Sequence, residues 1–311
     1  MDPTDSEKTR RAVGVSVVIP TYNQAPYLKE AIESALEQTR PPDEVIVVDN
    51  ASTDETASVC ERLADRIRYI RMPDNRGASA ARNAGLRAAS HPVVVYLDGD
   101  DVLMPDCLEA RIPMIVDRPD VGLVVGPMVT ATADLRPLYT GPKTYLRLEE
   151  VTFAQAVREP VCPTGGLVVR KSTLVDAGGW DESLPSAEDS DVLIRMAARS
   201  RCVVDRKPRA LYRQVQGSLS KDGWQVVANF RRMFDKNRPL SEDPRLYRRL
   251  SRRALQRTAS HYIFGMIAAD AQPRKLARMI RAVRKHPDLF PAFAIWAACE
   301  LRRRLLQPIR R

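Results

Sequence analysis

Three carboxylates stand almost side by side at Asp98-Gly99-Asp100-Asp101, directly after the apolar run Val93-Val94-Val95-Tyr96-Leu97. The run reads as a strand buried on both faces, and it must end where the carboxylates begin, because unpaired anions are not buried together. A strand finishing in Asp-x-Asp offers hard oxygen ligands at the carboxyl edge of a sheet. These suit Mg²⁺ or Mn²⁺, which complete their shells with phosphate oxygens. Alone, the motif is more often the pattern of a solvated acidic turn. A second group has matching chemistry: Gly77 opens a helical segment with Arg76 and Arg82 nearby. Helix amino ends and guanidinium groups both favour phosphate oxygens, so this set suits a diphosphate.

The elements that must position these groups follow in order. Val15–Ile19 is a predicted strand leading into Pro20-Thr21-Tyr22-Asn23, and Leu28, Ile32, Ala35 and Leu36 recur at helical spacing with Pro26 in the first turn. Glu44–Val48 is a second strand running into Asp49–Asp54, where Ser52, Thr53 or Asp54 could cap the next helix. Tyr69–Arg71 is a short third strand, and the Ala-rich segment Ala78–Ala89 is helical. The resulting order β-α-β-α-β-α-β predicts a parallel sheet with right-handed crossovers, so four loops meet at one edge, where open α/β sheets bind ligands.

Several classes are disfavoured. No G-x-G-x-x-G follows these strands and no G-x-x-x-x-G-K-[ST] occurs, which argues against nicotinamide-dependent Rossmann and P-loop chemistry. Five dispersed cysteines without a C-x-x-C pair suggest neither a disulfide framework nor zinc, and they fit a reducing compartment. The charged start has no apolar core of signal-peptide length, and no apolar run reaches the ~18–20 residues of a membrane span, so a cytoplasmic location is expected. The net charge of +10 is unevenly spread. Residues 225–311 carry 21 basic and 6 acidic side chains, whereas residues 1–224 carry 28 and 33.

The stretches Val17–Asn23, Val47–Asp54, Arg76-Gly77 with Ala81–Gly85, and Leu97–Asp101 together resemble family 2 glycosyltransferases, over roughly residues 14–220. The resemblance implies an α/β GT-A fold with a mostly parallel central sheet, a nucleotide-sugar donor, a divalent metal and inversion at the anomeric carbon. By the same resemblance, Pro20, Thr21, Tyr22 and Asp49 would line the base and ribose pocket. Gly77 and Arg82 would lie near the diphosphate and nucleotide, Asp98 near ribose and metal, and Asp100 on the metal, Mg²⁺ or Mn²⁺. The expected domains are a polar lead-in over 1–13, the catalytic domain over 14–224 and a basic helical region over 225–311.

An inverting transfer needs a carboxylate within reach of the acceptor hydroxyl to take its proton. Glu188-Asp189 opens a helical stretch and looks like the family's Glu-Asp motif, which assigns the base to Asp189. The bland alternative is that Glu188, Asp189 and Asp191 simply favour the positive end of that helix. Trp180 is either a core aromatic or part of an acceptor platform. Thr164-Gly165-Gly166 either admits the donor sugar or makes a turn. One departure stands out: Tyr212-Arg213 is followed by Gln214-Val215-Gln216-Gly217-Ser218 where relatives often carry a His. Metal affinity is thereby put in question.

The tail reads as basic helices. Phe290, Phe293, Ile295 and Trp296, followed by Arg302, Arg303 and Arg304, have the pattern of an interfacial anchor against an anionic membrane surface, or of a helical cap packed on the protein. Two other functions compete with this reading. A nucleotidyltransferase would want a Gly-rich basic loop after the first strand, and Pro20–Asn23 lacks one. A nucleic-acid-binding protein acting through its tail would show a recognisable module, and none occurs. The expected partners are a nucleotide-sugar donor and a sugar, glycan or lipid-linked acceptor in cell-envelope synthesis, with no nucleic acid.

Overall fold

The computed structural model describes residues 13–139, 148–214, 223–265, 281, 283–284 and 290–306. The expected lead-in (apart from Val13), the Gly217–Ser220 loop and the helix breaks at Pro273 and His286-Pro287 lie outside the described residues. The chain divides into two compact units, Met1–Gln216 and Gly217–Arg311.

In the first unit the elements run β1 (Val15–Thr21), α1 (Ala25–Leu36), β2 (Glu44–Asp49), α2 (Thr56–Glu61), β3 (Arg68–Arg71), α3 (Ala78–Ala88), β4 (Val93–Tyr96) and β5 (Val102–Leu103). They continue with α4 (Cys107–Val116), β6 (Val121–Val125), β7 (Val129–Ala131), β8 (Pro137–Tyr139), α5 (Phe153–Arg158), β9 (Leu167–Arg170), α6 (Lys171–Asp176), α7 (Glu188–Ala197), β10 (Arg201–Val204) and β11 (Ala210–Arg213).

A seven-stranded sheet has the order β10-β6-β9-β4-β1-β2-β3. Its strands β1–β4 pair in parallel, as the alternation of strands and helices predicts, and β9 alone runs against its neighbours β4 and β6. β1 and β4 are buried along their whole length, with Val15, Val17, Ile19, Val93 and Val95 in the main core. A smaller sheet, β5-β11-β7-β8, is built from strands of two to four residues. It ties the segment after Asp101 to the end of the unit.

The second unit holds α8 (Gly223–Asn237), α9 (Pro244–Ala259), a π-helical turn at Ser260–Gly265 and α10 (Phe290–Leu306). Val227, Ala259, Ile263 and Ala292 form its core, and Leu255, Phe293 and Trp296 pack against them. Phe293 and Trp296 stack with ring centroids 5.9 Å apart. Two of the four residues expected to enter a bilayer are thus half-buried on the helices' own core, and Phe290 stands 61% exposed. No helix among the described residues is long and apolar enough to cross a membrane.

Candidate active site

The parallel registers bring the carboxyl ends of β1, β2, β3 and β4 to one edge, and the loops there are bonded to one another. Asn50 N–H donates to Thr21 O at 2.9 Å, and Gly99 N–H donates to Pro20 O at 3.2 Å. Asn23 N–H donates to Ser52 Oγ, and Asp54 accepts from Ala25 N–H and from Thr56, so one carboxylate serves the starts of both α1 and α2. Asn75 and Asn50 bond to each other and hold the N–H groups of Gly77 and Arg76. Gly77 sits at φ +86°, a conformation that disfavours a side chain, with nothing within 4 Å of where its Cβ would stand. That opening lies at the amino end of α3.

Asp49 is fully buried. Its Oδ1 accepts from Ser52 N–H at 2.7 Å, and its Oδ2 accepts from the Tyr69 hydroxyl at 2.7 Å and from Arg71 at 3.2 Å. Burial and the Asp49 carboxylate push the Tyr69 phenol up to about 12, so it remains a donor. Three donors from within the protein therefore anchor Asp49. Thr21 is buried with its hydroxyl on Gln24, Pro20 is buried beside it, and Tyr22 is 43% exposed beyond the strand end.

The acidic turn is tightly built. A Cβ on Gly99 would meet Gln24 Oε1 at 2.7 Å and Thr21 Oγ1 at 2.9 Å, which explains the glycine between the two carboxylates. Asp98 accepts from Arg82 at 2.7 Å on one oxygen and from Thr164 at 2.7 Å on the other. Burial, followed by the charge of Asp98, raises the Asp100 carboxyl to about 6. Asp101 is buried and pushed well up by the same causes, and its carboxylate accepts from Arg213 N–H at 3.0 Å. Arg213 also donates to Asp100 O, Ala133 O and Glu30, and its guanidinium lies 4.8 Å from the Tyr27 ring centroid. This arginine, to which the sequence reading gave no role, pins the acidic turn to β11.

Arg82 is the centre of the arrangement. Only 4% exposed, it donates to Asp98 and, at 3.1 Å, to Glu188, and it stacks 4.6 Å from the Trp180 ring centroid. Trp180 is 1% exposed and meets Tyr96 edge-on at 5.0 Å, so it is a core aromatic that fixes Arg82 and offers no open face to a sugar. The neighbouring Asn83 exchanges hydrogen bonds with the Trp180 backbone in both directions and donates to Glu182. Helix α3 thereby joins the Asp98 turn to the segment leading into α7. Neighbouring positions in Arg82-Asn83 were the only signal of this in the chain, and their partners lie about a hundred residues on.

Asp189 occupies the first turn of α7, behind Ala187, which takes the left-handed conformation at φ 69°. Non-glycine residues held there are strained, and such strain concentrates at functional sites. The Asp189 carboxylate accepts from Ser190 N–H at 2.6 Å and keeps partial exposure. Burial, followed by the charge of Glu188, raises it to about 7, with Arg82 pulling the other way. Asp191 differs: it is fully buried and paired with Arg195 at 2.7 Å, a structural ion pair one turn along the helix.

Among the described residues no group of three His, Cys, Asp or Glu side chains could hold a metal ion. The acidic turn nevertheless fits a hard cation of the kind that takes one or two carboxylates and fills its shell with phosphate and water. Asp100 is a partly exposed carboxylate whose charge is opposed by burial and by Asp98. His91 packs against Gly14 at the start of β1, the opposite edge of the sheet, and Gln214 follows β11 in the place of the expected histidine.

Comparison with known proteins agrees with this architecture. The glycosyl transferase family 2 model matches residues 16–173. The succinoglycan biosynthesis protein ExoO of Rhizobium meliloti is 30% identical over 221 residues, which cover 67% of this chain and 62% of that protein. The structure of S. aureus TarS 1-349 in complex with UDP-GlcNAc superposes with a TM-score of 0.67 at 19% identity, covering 93% of this chain and 92% of that one. The mannosyltransferase PcManGT of Pyrobaculum calidifontis, in complex with GDP-Man and Mn²⁺, gives 0.63 at 21% identity, covering 96% and 93%. The chain spans 38% to 62% of the length of the first curated relatives it matches. The sheet is that of the GT-A fold, and with half of its length matched by the family model, the chain belongs to glycosyl transferase family 2.

Proposed function

We propose that the chain is an inverting glycosyltransferase, moving a sugar from a nucleotide-diphosphate sugar to an acceptor hydroxyl in the synthesis of a cell-envelope polysaccharide or glycolipid. The observation that carries this reading is the Arg82 bridge, which links the Asp98 turn to the Glu188-Asp189 turn through a single buried guanidinium. Pro20, Thr21, Tyr22 and Asp49 form the base and ribose end of the donor site, Gly77 and Arg82 the diphosphate end, and Asp98 lies near the ribose and the metal. Asp100, with Asp98, would hold Mg²⁺ or Mn²⁺, which supplies charge neutralisation for the leaving diphosphate. The complexes of TarS with UDP-GlcNAc and of PcManGT with GDP-Man and Mn²⁺ support a nucleotide-sugar donor and a divalent cation.

Asp189 takes the acceptor proton as the acceptor oxygen bonds to the anomeric carbon and the bond to the diphosphate oxygen breaks on the opposite side. A carboxyl raised to about 7 is a base poised near neutral pH, where general-base efficiency is greatest. Residues 14–224 form the catalytic domain and 225–311 an accessory region. The enzyme works in the cytoplasm, on the inner face of a membrane.

Donor hydrolysis without acceptor, measured for UDP-, GDP- and dTDP-sugars with Mg²⁺, Mn²⁺ or EDTA, tests the reading. One nucleotide should be cleaved well above the others, and EDTA should stop it. Cleavage at the rate of the protein-free control for every donor would remove the proposal.

A further inference from the structure

In α9 the arginines fall at a helical repeat. Arg245, Arg248, Arg249, Arg252 and Arg253 are all exposed, whereas Tyr247 and Ala254 on the opposite side are buried. Spacings of three and four residues put the five guanidinium groups on one face, over a rise of about 12 Å. The helix contains no Asp or Glu. Of the two acidic residues just before it, Asp243 is spent on capping, accepting from the N–H groups of Arg245 and Leu246 at 3.0 Å, and Glu242 is exposed. Among the described residues no ion pair joins any of the five to a carboxylate.

Like charges three and four residues apart repel, so this face costs helix stability unless something anionic covers it. We propose that the arginine face of α9 is a docking surface for an anionic lipid bilayer, and that it is a peripheral electrostatic contact rather than an inserted anchor. A row of cations on one rigid helix matches a plane of phosphate headgroups, each basic residue near such a surface adding about fivefold to binding. The aromatic residues that an inserted anchor would need are turned to other work: Phe293 and Trp296 pack on the unit's own core. Single-stranded nucleic acid fits less well, because it wants exposed aromatic side chains among the cations, and the aromatic residue within the row, Tyr247, is buried with its hydroxyl on Phe234 O at 2.7 Å. The inference does not rest on the catalytic reading, since vesicle binding and donor cleavage are separate measurements.

The test is sedimentation of the full-length protein with vesicles of phosphatidylcholine alone or with about a third phosphatidylglycerol, using the variant Arg248→Gln/Arg249→Gln/Arg252→Gln/Arg253→Gln. Gln has nearly the helix propensity of Arg and all four sites are exposed, so the circular dichroism spectrum should stay unchanged. A charge-matched control, Arg62→Gln/Arg66→Gln/Arg87→Gln/Arg136→Gln, removes four exposed cations of the first unit. Wild type and control should bind the anionic vesicles, bind the neutral ones weakly and be released by 0.5 M salt, which shortens the screening length to roughly 4–5 Å. The α9 variant should lose at least 100-fold in affinity. Equal loss in the control would mean that net charge alone acts and would overturn the proposal. So would equal binding to neutral vesicles, or tighter binding to a duplex oligonucleotide than to the anionic vesicles.

Discussion

Arginine does opposite work in the two units. In the first, Arg82, Arg111, Arg195 and Arg213 are buried, and each is held by a carboxylate and by further acceptors or ring faces. Arg111, for example, donates to Asp205 and to Gly166 O, steadying the loop that carries Thr164. In the second unit Arg245, Arg248, Arg249, Arg252 and Arg253 of α9 are exposed and bind no carboxylate among the described residues. A buried guanidinium fixes geometry, because breaking its pair strands a charge. An exposed, unpaired one contributes little to folding and is free for an external anion.

The contrast makes graded predictions. Asp100→Ala should show the largest effect, with transfer reduced below detection and nucleotide binding made insensitive to Mn²⁺. Wild-type turnover in that variant, or full activity in excess EDTA, would break the metal assignment.

Asp189→Asn should preserve donor affinity while lowering kcat by ~10²–10⁴-fold, the usual contribution of a positioned base. Equal losses of affinity and rate would make Asp189 structural. In the wild type, kcat should climb as pH rises through about 7, and this limb should vanish in the variant. Stability should move the other way. A carboxyl whose folded pKa is raised binds more protons folded than unfolded between about 4 and 7, so its contribution declines as pH rises through that window. The Asn variant should flatten that slope in urea titrations at pH 5 and 8.

Arg195→Met should cost about 3–5 kcal/mol in chemical denaturation, because it removes the guanidinium partner of the fully buried Asp191. Arg82→Met should cost less, because its partners Asp98 and Glu188 are only half-buried and Asp98 keeps the bond from Thr164. Only Arg82→Met should also damage donor cleavage beyond what its lost stability explains. An equal catalytic loss in Arg195→Met would dissolve the distinction between the bridging and the structural pair.

The smallest effect belongs to α9. Arg252→Gln with Arg253→Gln should shift stability by no more than about 0.5 kcal/mol, as exposed substitutions do. A loss of several kcal/mol there would mean that these arginines are partnered within the protein and would erase the contrast.

Much of the frame was legible along the chain because its signals are local. Largely apolar runs rich in β-branched residues at Val15–Ile19, Glu44–Val48 and Val93–Leu97 have few alternatives to buried parallel strands, and Asp-Gly-Asp can end only at an edge. The Glu188-Asp189 turn was visible as a pair of carboxylates opening a helix. The small sheet was not visible: strands such as Val102–Leu103 and Pro137–Tyr139 are too short to show a period, and their pairing is set by partners far along the chain. The reversed direction of β9 was equally hidden, since an apolar run reads the same either way.

By itself, then, the sequence determined the parallel half of the sheet, the edge at which four loops converge, and the charge division between the two regions. These follow from hydrophobic pattern and from counting. Only the tertiary structure decided which partner each polar group takes. It gave Trp180 to Arg82 and to the core, seated Asp98 between Arg82 and Thr164, closed Asp49 with Tyr69 and Arg71, and turned Phe293 and Trp296 inward. The physical reason is that a buried polar group must find its complement wherever the fold brings one near, and that distance in space is not written in the spacing of residues along the chain.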